Sequence, residues 1–425
     1  MTDTIFALSS GAPPAAIAVV RISGPQAGAA LTALAGRLPP ERRAVAATLR
    51  DGAGEVLDRA LTLWLPGPAT ATGEDTAELH CHGGRAVVAA VFSALARIEG
   101  LRAAAPGEFT RRAFVSGRID LAEAEGLADL LGAETELQRR SALAMAGGAF
   151  SGQVGDWRER LLVLSAGAEA VLDFADEDDV AALPADFAVR IEGLRVELAD
   201  WLARPRAEVL REGFRVVLAG PPNAGKSTLF NALVEHEAAI TAPQAGTTRD
   251  VLERPVAIAG VPFVFADTAG LRDSTSDVIE AIGIDRARGE LERADLVLWL
   301  GTEGEAPDRA WEIEPQADRL GHPAKQAPRH RVSALTGAGL SALREDLIAT
   351  ACAALPRPGE AALNARQHRL LAEAQGALAQ AEQLTDPLLV AESLRLARVA
   401  FDALLGRTTT EDMLDALFGR FCIGK

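Results

Sequence analysis

The stretch Gly220–Ser227 reads GPPNAGKS. It has the form G-x-x-x-x-G-K-S and sits between two readable segments. Before it, FRVVLA (Phe214–Ala219) is a short apolar run without helical spacing. After it, STLFNALV (Ser227–Val234) has helical spacing. A strand, a glycine-rich loop and a helix in that order form a phosphate loop. The glycines let the backbone curl so that successive N–H groups face phosphate oxygens, and the helix N-terminus adds its dipole. Asn223, Ala224, Gly225 and Thr228 belong to this cradle. Lys226 reaches the β- and γ-phosphates, and Ser227 is a Mg²⁺ ligand.

Working outward, residues 213–355 alternate strand, loop and helix. Phe214–Ala219, Val261–Ala266 and Asp295–Leu300 are apolar runs of strand length, which predicts a parallel sheet with helices on both faces. Two segments in this stretch narrow the class. Asp267-Thr268-Ala269-Gly270 follows the run VPFVFA. Its Asp belongs near the Mg²⁺ shell, and its Gly lets the backbone approach the γ-phosphate. Upstream, Gly246-Thr247-Thr248-Arg249-Asp250 supplies a threonine hydroxyl, Thr248, that closes on Mg²⁺. Phosphate loop, TTRD and DTAG in this order predict a GTPase. The residue after DTAG is Leu271, where Ras-like enzymes carry a Gln that orients the attacking water. An apolar side chain cannot do this, so another group must. Guanine is normally read by N-K-x-D. Here the matching segment is Pro315-Gln316-Ala317-Asp318, which keeps the Asp and lacks Asn and Lys. Asp318 reads as the guanine contact, with a plain surface Asp as the alternative. Ser333-Ala334, after the strand-like RHRV, suits a loop facing guanine O6.

The chain has 425 residues, which at about 150 per domain predicts two or three domains. Its apolar fraction of 48% and charged fraction of 24% exclude wholesale disorder. No apolar run approaches the ~20 residues of a membrane span, and no basic segment followed by an apolar stretch opens the chain. Three cysteines make no disulfide framework, so the expected location is cytoplasmic. A net charge of −16 argues against a surface covered by nucleic-acid contacts, though not against a local basic patch. Three of the 43 basic residues are lysine, Lys226, Lys325 and Lys425, and the rest are arginine. A lysine kept in such a chain hints at a need for a compact ammonium.

Residues 1–116 mix strands and helices: AIAVVRI (Ala16–Ile22), LTLWL (Leu61–Leu65) and TAELHCH (Thr76–His82) read as strands, and Gly83–Ile98 as a helix. Residues 117–210 turn helical, with single apolar stripes at Trp157, Leu161, Leu164, Ala168 and Val171, and at Phe187, Ile191, Leu194 and Leu198. Residues 358–425 are helical again, with stripes from Leu370 to Leu384 and from Val390 to Leu404. The economical reading is one helical domain built from both stretches, with the α/β domain of 213–355 inserted. His80 and His82 lie on one strand face, but two ligands do not close a zinc site. Cys422 is either a reactive thiol or a small buried apolar residue.

RISGP, GED (Gly73–Asp75), HCHGG, PGEFTRRAF (Pro106–Phe114), IDLAEAEGLADLL, GPPNAGKST, AGTTRD, DTAGLR, IEAIGID and the terminal FCIGK together resemble the MnmE/TrmE family of tRNA modification GTPases. The resemblance runs through nearly the whole chain in order. It implies a multidomain α/β protein with three parts. These are an N-terminal α+β domain that binds folate and dimerises, an all-α helical domain, and an inserted Ras-like P-loop GTPase domain. It implies a homodimer that joins an FAD-dependent partner of the MnmG/GidA type in a heterotetramer. The joint product is an aminomethyl-type group at carbon 5 of the wobble uridine of certain tRNAs, built with a one-carbon unit from 5-formyltetrahydrofolate or another reduced folate.

The resemblance also implies site residues. A K⁺ ion is held by Asn223 and by groups around Ala242, Gln244 and Thr247, and supplies the positive charge of an arginine finger. Glu280 aligns the attacking water through a second water. Ser227 and Thr248 hold Mg²⁺. Arg21, Glu78, Arg118 and Lys425 hold the folate. The chain departs from the family pattern at position 118, where Lys is usual, and at Pro315-Gln316. Two other function classes stay open: a regulatory GTPase switch in ribosome or RNA assembly, and a folate enzyme with a degenerate nucleotide domain. The intact Gly220–Ser227, Thr248, Asp267 and Glu280 speak against the last.

Overall fold

The computed structural model describes residues 3–173, 183–234, 238–239, 252–267, 289–319, 324–408, 411–419, 421 and 424. The chain divides into two compact units, Met1–Ala128 with Asp402–Lys425, and Asp129–Phe401.

The first unit opens with β1 (Thr4–Leu8), β2 (Ile17–Ser23), α1 (Ala27–Ala35), β3 (Val45–Arg50) and β4 (Val56–Leu65). It continues with β5 (Thr76–His82), α2 (Arg85–Ala96), β6 (Leu101–Ala103), α3 (Glu108–Val115) and α4 (Leu121–Leu131). The sheet order is β3-β4-β5-β2-β1-β6. Neighbours run antiparallel except β1 and β6. Strand alternation sorts the side chains. Ala77, Leu79 and Cys81 of β5, with Val20 and Ile22 of β2, enter a core shared with Leu31, Leu34, Val91 and Leu95 of α1 and α2. Each such large apolar side chain contributes about 1.5–3 kcal/mol on burial. Glu78 and His80 alternate to the opposite face. Sequence reading finds β2, β5 and the end of β4, and misses the short or polar β1, β3 and β6.

One arginine among the described residues of this unit is buried. Arg112 of α3 is 2% exposed and pairs with Asp3 (2.9 Å), Glu74 (3.1 Å) and Glu108 (3.1 Å). A buried cation without partners would cost several kcal/mol. Burial pushes the Glu108 carboxyl up, but bonds from Arg102, the Ala105 amide and Arg112 outweigh it and hold it below the usual range. A carboxylate so lowered stabilises the fold at neutral pH, and that contribution fades as pH falls through the lowered value.

The second unit holds α5 (Glu136–Ala146), α6 (Ala149–Asp173), α7 (Phe187–Ala203), α8 (Ala207–Glu212), β7 (Phe214–Ala219), α9 (Lys226–Val234), β8 (Ala238–Ala239) and β9 (Leu252–Ile258). After these come β10 (Val261–Asp267), β11 (Leu296–Trp299), β12 (Trp311–Glu314), β13 (His330–Arg331), α10 (Leu340–Ala354), α11 (Ala365–Gln383) and α12 (Pro387–Leu404). A last helix, α13 (Glu411–Phe418), belongs to the first unit. The expected apolar stripes are buried: Trp157, Leu161 and Leu164 in α6, Ile191, Leu194 and Leu198 in α7, Leu378 and Ala381 in α11, and Leu394, Ala397 and Phe401 in α12. Trp157 stacks on Phe401 at 6.0 Å and meets Trp201 edge-on at 6.0 Å. Helices from before and after the sheet therefore share one apolar layer.

The sheet order is β13-β12-β11-β7-β10-β9-β8. From β13 to β10 the neighbours are parallel. The three expected strands are parallel, and an antiparallel edge adjoins them, with β9 antiparallel to β10 and β8 to β9. The cause is a two-residue turn, Ala259 (φ 50°) and Gly260 (φ 79°), whose left-handed backbone joins β9 to β10 as a hairpin. Among the described residues, the β11–β12 and β12–β13 connections carry no helix. Lys325 is buried beside these strands instead: its Nζ bonds the Trp299 carbonyl at 3.1 Å and pairs with Glu312, while its backbone N–H bonds Glu314 at 3.1 Å. Glu314 also pairs with Arg331 at 3.1 Å. Among the described residues no helix is long and apolar enough to cross a membrane.

Candidate functional site

β7 ends at Ala219 and α9 begins at Lys226, so the loop between them lies at the C-terminal edge of the parallel strands. That edge is where open α/β sheets bind ligands. The backbone turns as the glycines require, with φ of 148° at Gly220 and 91° at Gly225, and Asn223 is also left-handed at 63°. Lys226 is 5% exposed, and its Nζ donates to the carbonyls of Gly220 (2.9 Å) and Pro221 (2.8 Å). The ammonium is thereby fixed over the loop. Ser227 and Thr228 are exposed in the first turn of α9, Ala224 packs partly into the core, and Asn223 is exposed. Asp267 closes β10, in register with Leu218 of β7.

A second group of predicted residues gathers at the same edge. After β12 the chain turns through Gln316 (φ 55°), and Ala317 N–H bonds the Val332 carbonyl at 3.1 Å. This brings Asp318 to Ser333. The Ser333 hydroxyl near the Asp318 carboxylate holds its pKa below the usual value. Ser333 is fully buried, its oxygen accepts from Thr336 N–H at 3.1 Å, and its own N–H bonds the Ala338 carbonyl at 2.9 Å. Ala334 follows directly. Gln316 was read only as a missing Lys. Its amide Nε2 lies 3.4 Å from where a Cβ on Gly225 would stand. The phosphate loop, the Asp318 loop and the Ser333 loop thus converge. Ala242, Gln244, Thr247, Thr248, Thr268, Ala269, Gly270 and Glu280 lie outside the described residues, so their predicted roles rest on sequence.

The first unit carries a separate polar site. Arg21 of β2 and Glu78 of β5 are register partners and form an ion pair at 3.0 Å. Glu78 also bonds His80 Nε2 at 3.0 Å. Burial pushes the Glu78 carboxyl up, yet His80 and Arg21 together hold it below the usual range. The Phe109 ring lies under the Arg21 guanidinium at 6.0 Å. His82 turns to a different carboxylate, Asp58, at 2.8 Å, so the two histidines do not converge. Arg118 is exposed and its Cγ borders Gly73. The next residue, Glu74, accepts from Ser23 at 2.8 Å, two residues on from Arg21.

The chain end docks beside these strands. Gly424 is buried, with φ 94°, and its carbonyl accepts from the Ser9 hydroxyl at 2.9 Å. A Cβ there would lie 2.0 Å from the Leu8 carbonyl, so only glycine fits. Leu8 pairs with Val20, beside Arg21. Phe421 is buried and packs on Phe418 at 6.1 Å. Lys425 and Cys422 lie outside the described residues. Sequence reading had no signal for Ser9, a lone serine in a loop.

Comparison with known proteins gives the family. The family profile "MnmE helical domain" matches residues 121–422, and "GTP-binding protein TrmE N-terminus" matches residues 4–118. A tRNA modification GTPase MnmE from Erythrobacter litoralis is 64% identical over 423 residues, covering 100% of both chains. The protein of that name from Novosphingobium aromaticivorans is 65% identical over 437 residues, again with 100% of both chains covered. Among solved structures, a GDP·AlF4⁻-bound variant of Aquifex aeolicus Era aligns at a TM-score of 0.25. It is 26% identical and covers 38% of this chain and 66% of its own, too slight a likeness to bear on the fold. With two family profiles matched end to end and full-length relatives above 60% identity, the chain belongs to the MnmE family of tRNA modification GTPases.

Proposed function

We propose that this chain is a K⁺-dependent GTP hydrolase of the cytoplasm. With an FAD-dependent partner of the MnmG/GidA type, it modifies carbon 5 of the wobble uridine of certain tRNAs, using a one-carbon unit from 5-formyltetrahydrofolate or another reduced folate. It works as a homodimer within a heterotetramer. The division into 1–116, 117–210, 213–355 and 358–425 goes with this reading. The observation that carries it is the pairing of two sites in one chain. One brings the loops of Asp318 and Ser333 beside a phosphate loop. The other joins Arg21 to Glu78, with the chain end docked beside them.

Each chemical group has residues of matching character. The exposed Ser227 hydroxyl and Asp267, with Thr248, suit Mg²⁺, which neutralises charge on the phosphates. Asn223, exposed on a left-handed turn of the phosphate loop, suits K⁺ together with Ala242, Gln244 and Thr247. A monovalent cation there adds positive charge where the transferring phosphoryl group needs it. Lys226 grips the phosphates and Asp318 accepts from the base. In the other site Glu78 accepts N–H groups of a pterin, and Arg21, Arg118 and Lys425 donate to carboxylates and carbonyls.

The reading is tested by nucleoside analysis of wobble uridines from cells lacking the protein, with and without the gene restored. Loss of the carbon-5 modification, recovered with the gene, is the expected result. Unaltered nucleosides would point to a regulatory switch. The cation has its own test. GTP turnover should be about 10-fold or more faster in KCl than in NaCl at equal ionic strength. Asn223→Ala should abolish the difference, and equal rates for the unmodified protein in both salts would exclude K⁺.

A further inference from the structure

We infer that α5 mounts the sheet of the second unit on its helical layer and carries nucleotide state from one to the other, with Gln138 and Ser141 as positioning residues. The inference rests on the family's GTPase activity and on the reading of Asp267 as lying at the phosphates. The chain enters this sheet through α8 and leaves it through residues 355–364. The two segments are tied at their roots. Ala207 N–H bonds the Leu363 carbonyl at 2.9 Å, and Ala365 N–H bonds the Glu208 carboxylate at 2.7 Å. Segments joined at one place leave a hinge, and α5 closes it with three further contacts. Leu137 N–H bonds the carbonyl of Gly260, in the β9–β10 turn, at 3.3 Å. Gln138 Nε2 donates to the Leu210 carbonyl of α8 at 3.1 Å. The Ser141 hydroxyl donates to the carbonyl of Glu360, in the departing segment, at 2.8 Å. The Leu137 side chain is buried in the sheet core that holds Leu210, Phe214, Ile258 and Val261. At its other end α5 passes through Gly147 and Gly148 into α6 of the helical layer.

Each contact has a local cause. The first N–H groups of a helix lack an intrahelical acceptor. In α5 the Gln138 N–H is met by the Thr135 hydroxyl, and the Leu137 N–H by the hairpin turn. The Gln138 side-chain oxygen accepts from Thr135 N–H at 3.0 Å, which leaves its amide nitrogen for Leu210. The turn and the phosphate loop lie at opposite ends of one strand. β10 begins at Val261, beside the turn, and ends at Asp267, level with Leu218 near the end of β7. Bonded to β7 on one side and β9 on the other, β10 moves as a stiff unit. A shift of its Asp267 end with nucleotide state is therefore felt at Gly260 and passed to α5. By linkage, the docking of α5 biases nucleotide state by the same factor.

The test uses the full chain and follows the Leu137 amide by site-resolved hydrogen exchange, with GDP and with a non-hydrolysable GTP analogue. Its exchange rate should differ by about 5-fold or more between the two, the scale of one hydrogen bond made or lost. Gln138→Glu keeps the capping oxygens and removes the amide donor. Combined with Ser141→Ala, it frees α5 at two of its three anchors. In this double variant the difference at Leu137 should vanish, while GTP affinity and turnover stay within about twofold and tRNA modification falls by about 10-fold or more, within the usual range of coupling between sites. Arg139→Ala, an exposed position on the same helix, should change none of these. Equal Leu137 exchange in both nucleotide states overturns the inference, and so does a double variant that keeps tRNA modification. A double variant that loses GTP binding or hydrolysis shows α5 to be only a support for the sheet, which overturns it too. Asp267→Ala checks the premise separately. Unaltered Mg²⁺-dependent hydrolysis in that variant would take Asp267 away from the phosphates, whereas equal Leu137 exchange with a damaged Asp267→Ala enzyme removes only the role of α5.

Discussion

Replacing Glu280 by alanine should lower kcat for GTP hydrolysis by about 100-fold or more, the scale of a group that orients or deprotonates the attacking water. The Kd for GTP should stay within about twofold, because no contact to phosphates or base is lost. The reason lies in the residue after Asp267-Thr268-Ala269-Gly270. Leu271 cannot hydrogen-bond a water, so water alignment must come from a polar group elsewhere in the switch segment. Glu280, in IEAIGID, is the carboxylate the family resemblance assigns to that task. Glu280→Gln sharpens the test. It retains hydrogen bonding and loses the charge, so intermediate turnover indicates orientation and turnover as low as alanine's indicates a need for the carboxylate. Wild-type turnover for Glu280→Ala would overturn the assignment, and so would a variant whose only defect is failure to bind GTP.

What the sequence made legible was local. The phosphate loop is a spacing of glycines between a strand and a helix, and the structure turns it as that spacing demands, with Lys226 drawn over its carbonyls. Buried helical stripes such as Trp157, Leu161 and Leu164 were legible because their period is a property of the segment itself. What escaped depended on partners far apart in the chain or on weak turn signals. Ala259-Gly260 is a hairpin turn without the usual Asn or Asp, so β9 and the antiparallel edge went unseen. Nothing local announces that Lys325, between β12 and β13, gathers with Glu312 and Glu314 of β12. Gln316 looked like a deficiency because the Gly225 loop beside it is remote in sequence. Asp318 and Ser333 were each legible, but the backbone bond from Ala317 to Val332 that brings their loops together was not.

Deleting Cys422–Lys425 should abolish wobble-uridine modification while GTP hydrolysis stays within about twofold of the full chain. A chain terminus is ordinarily frayed and dispensable. This one is built in. Gly424 is buried, donates no side chain and tolerates none, since a Cβ would lie 2.0 Å from the Leu8 carbonyl. Its carbonyl is held by the Ser9 hydroxyl at 2.9 Å. Ser9 N–H in turn bonds the Val19 carbonyl at 2.8 Å, two residues before Arg21. The next and last residue is Lys425, one of three lysines in a chain that otherwise uses arginine. A single charge-assisted hydrogen bond contributes about 1.5–3 kcal/mol, so losing the terminal ammonium should weaken reduced-folate binding by about 10- to 100-fold. Gly424→Ala should mimic the deletion, because its new methyl displaces the tail from Leu8. Lys425→Ala should show the folate defect with the tail still docked. Calorimetric titration of a reduced folate into the three variants decides the matter. The Arg21–Glu78 pair, being intact in all of them, controls for the rest of the site. Unchanged folate affinity in the deletion would rule the tail out of that site. A deletion that also lost GTP hydrolysis would mean the tail supports the nucleotide domain and not a separate folate-binding function.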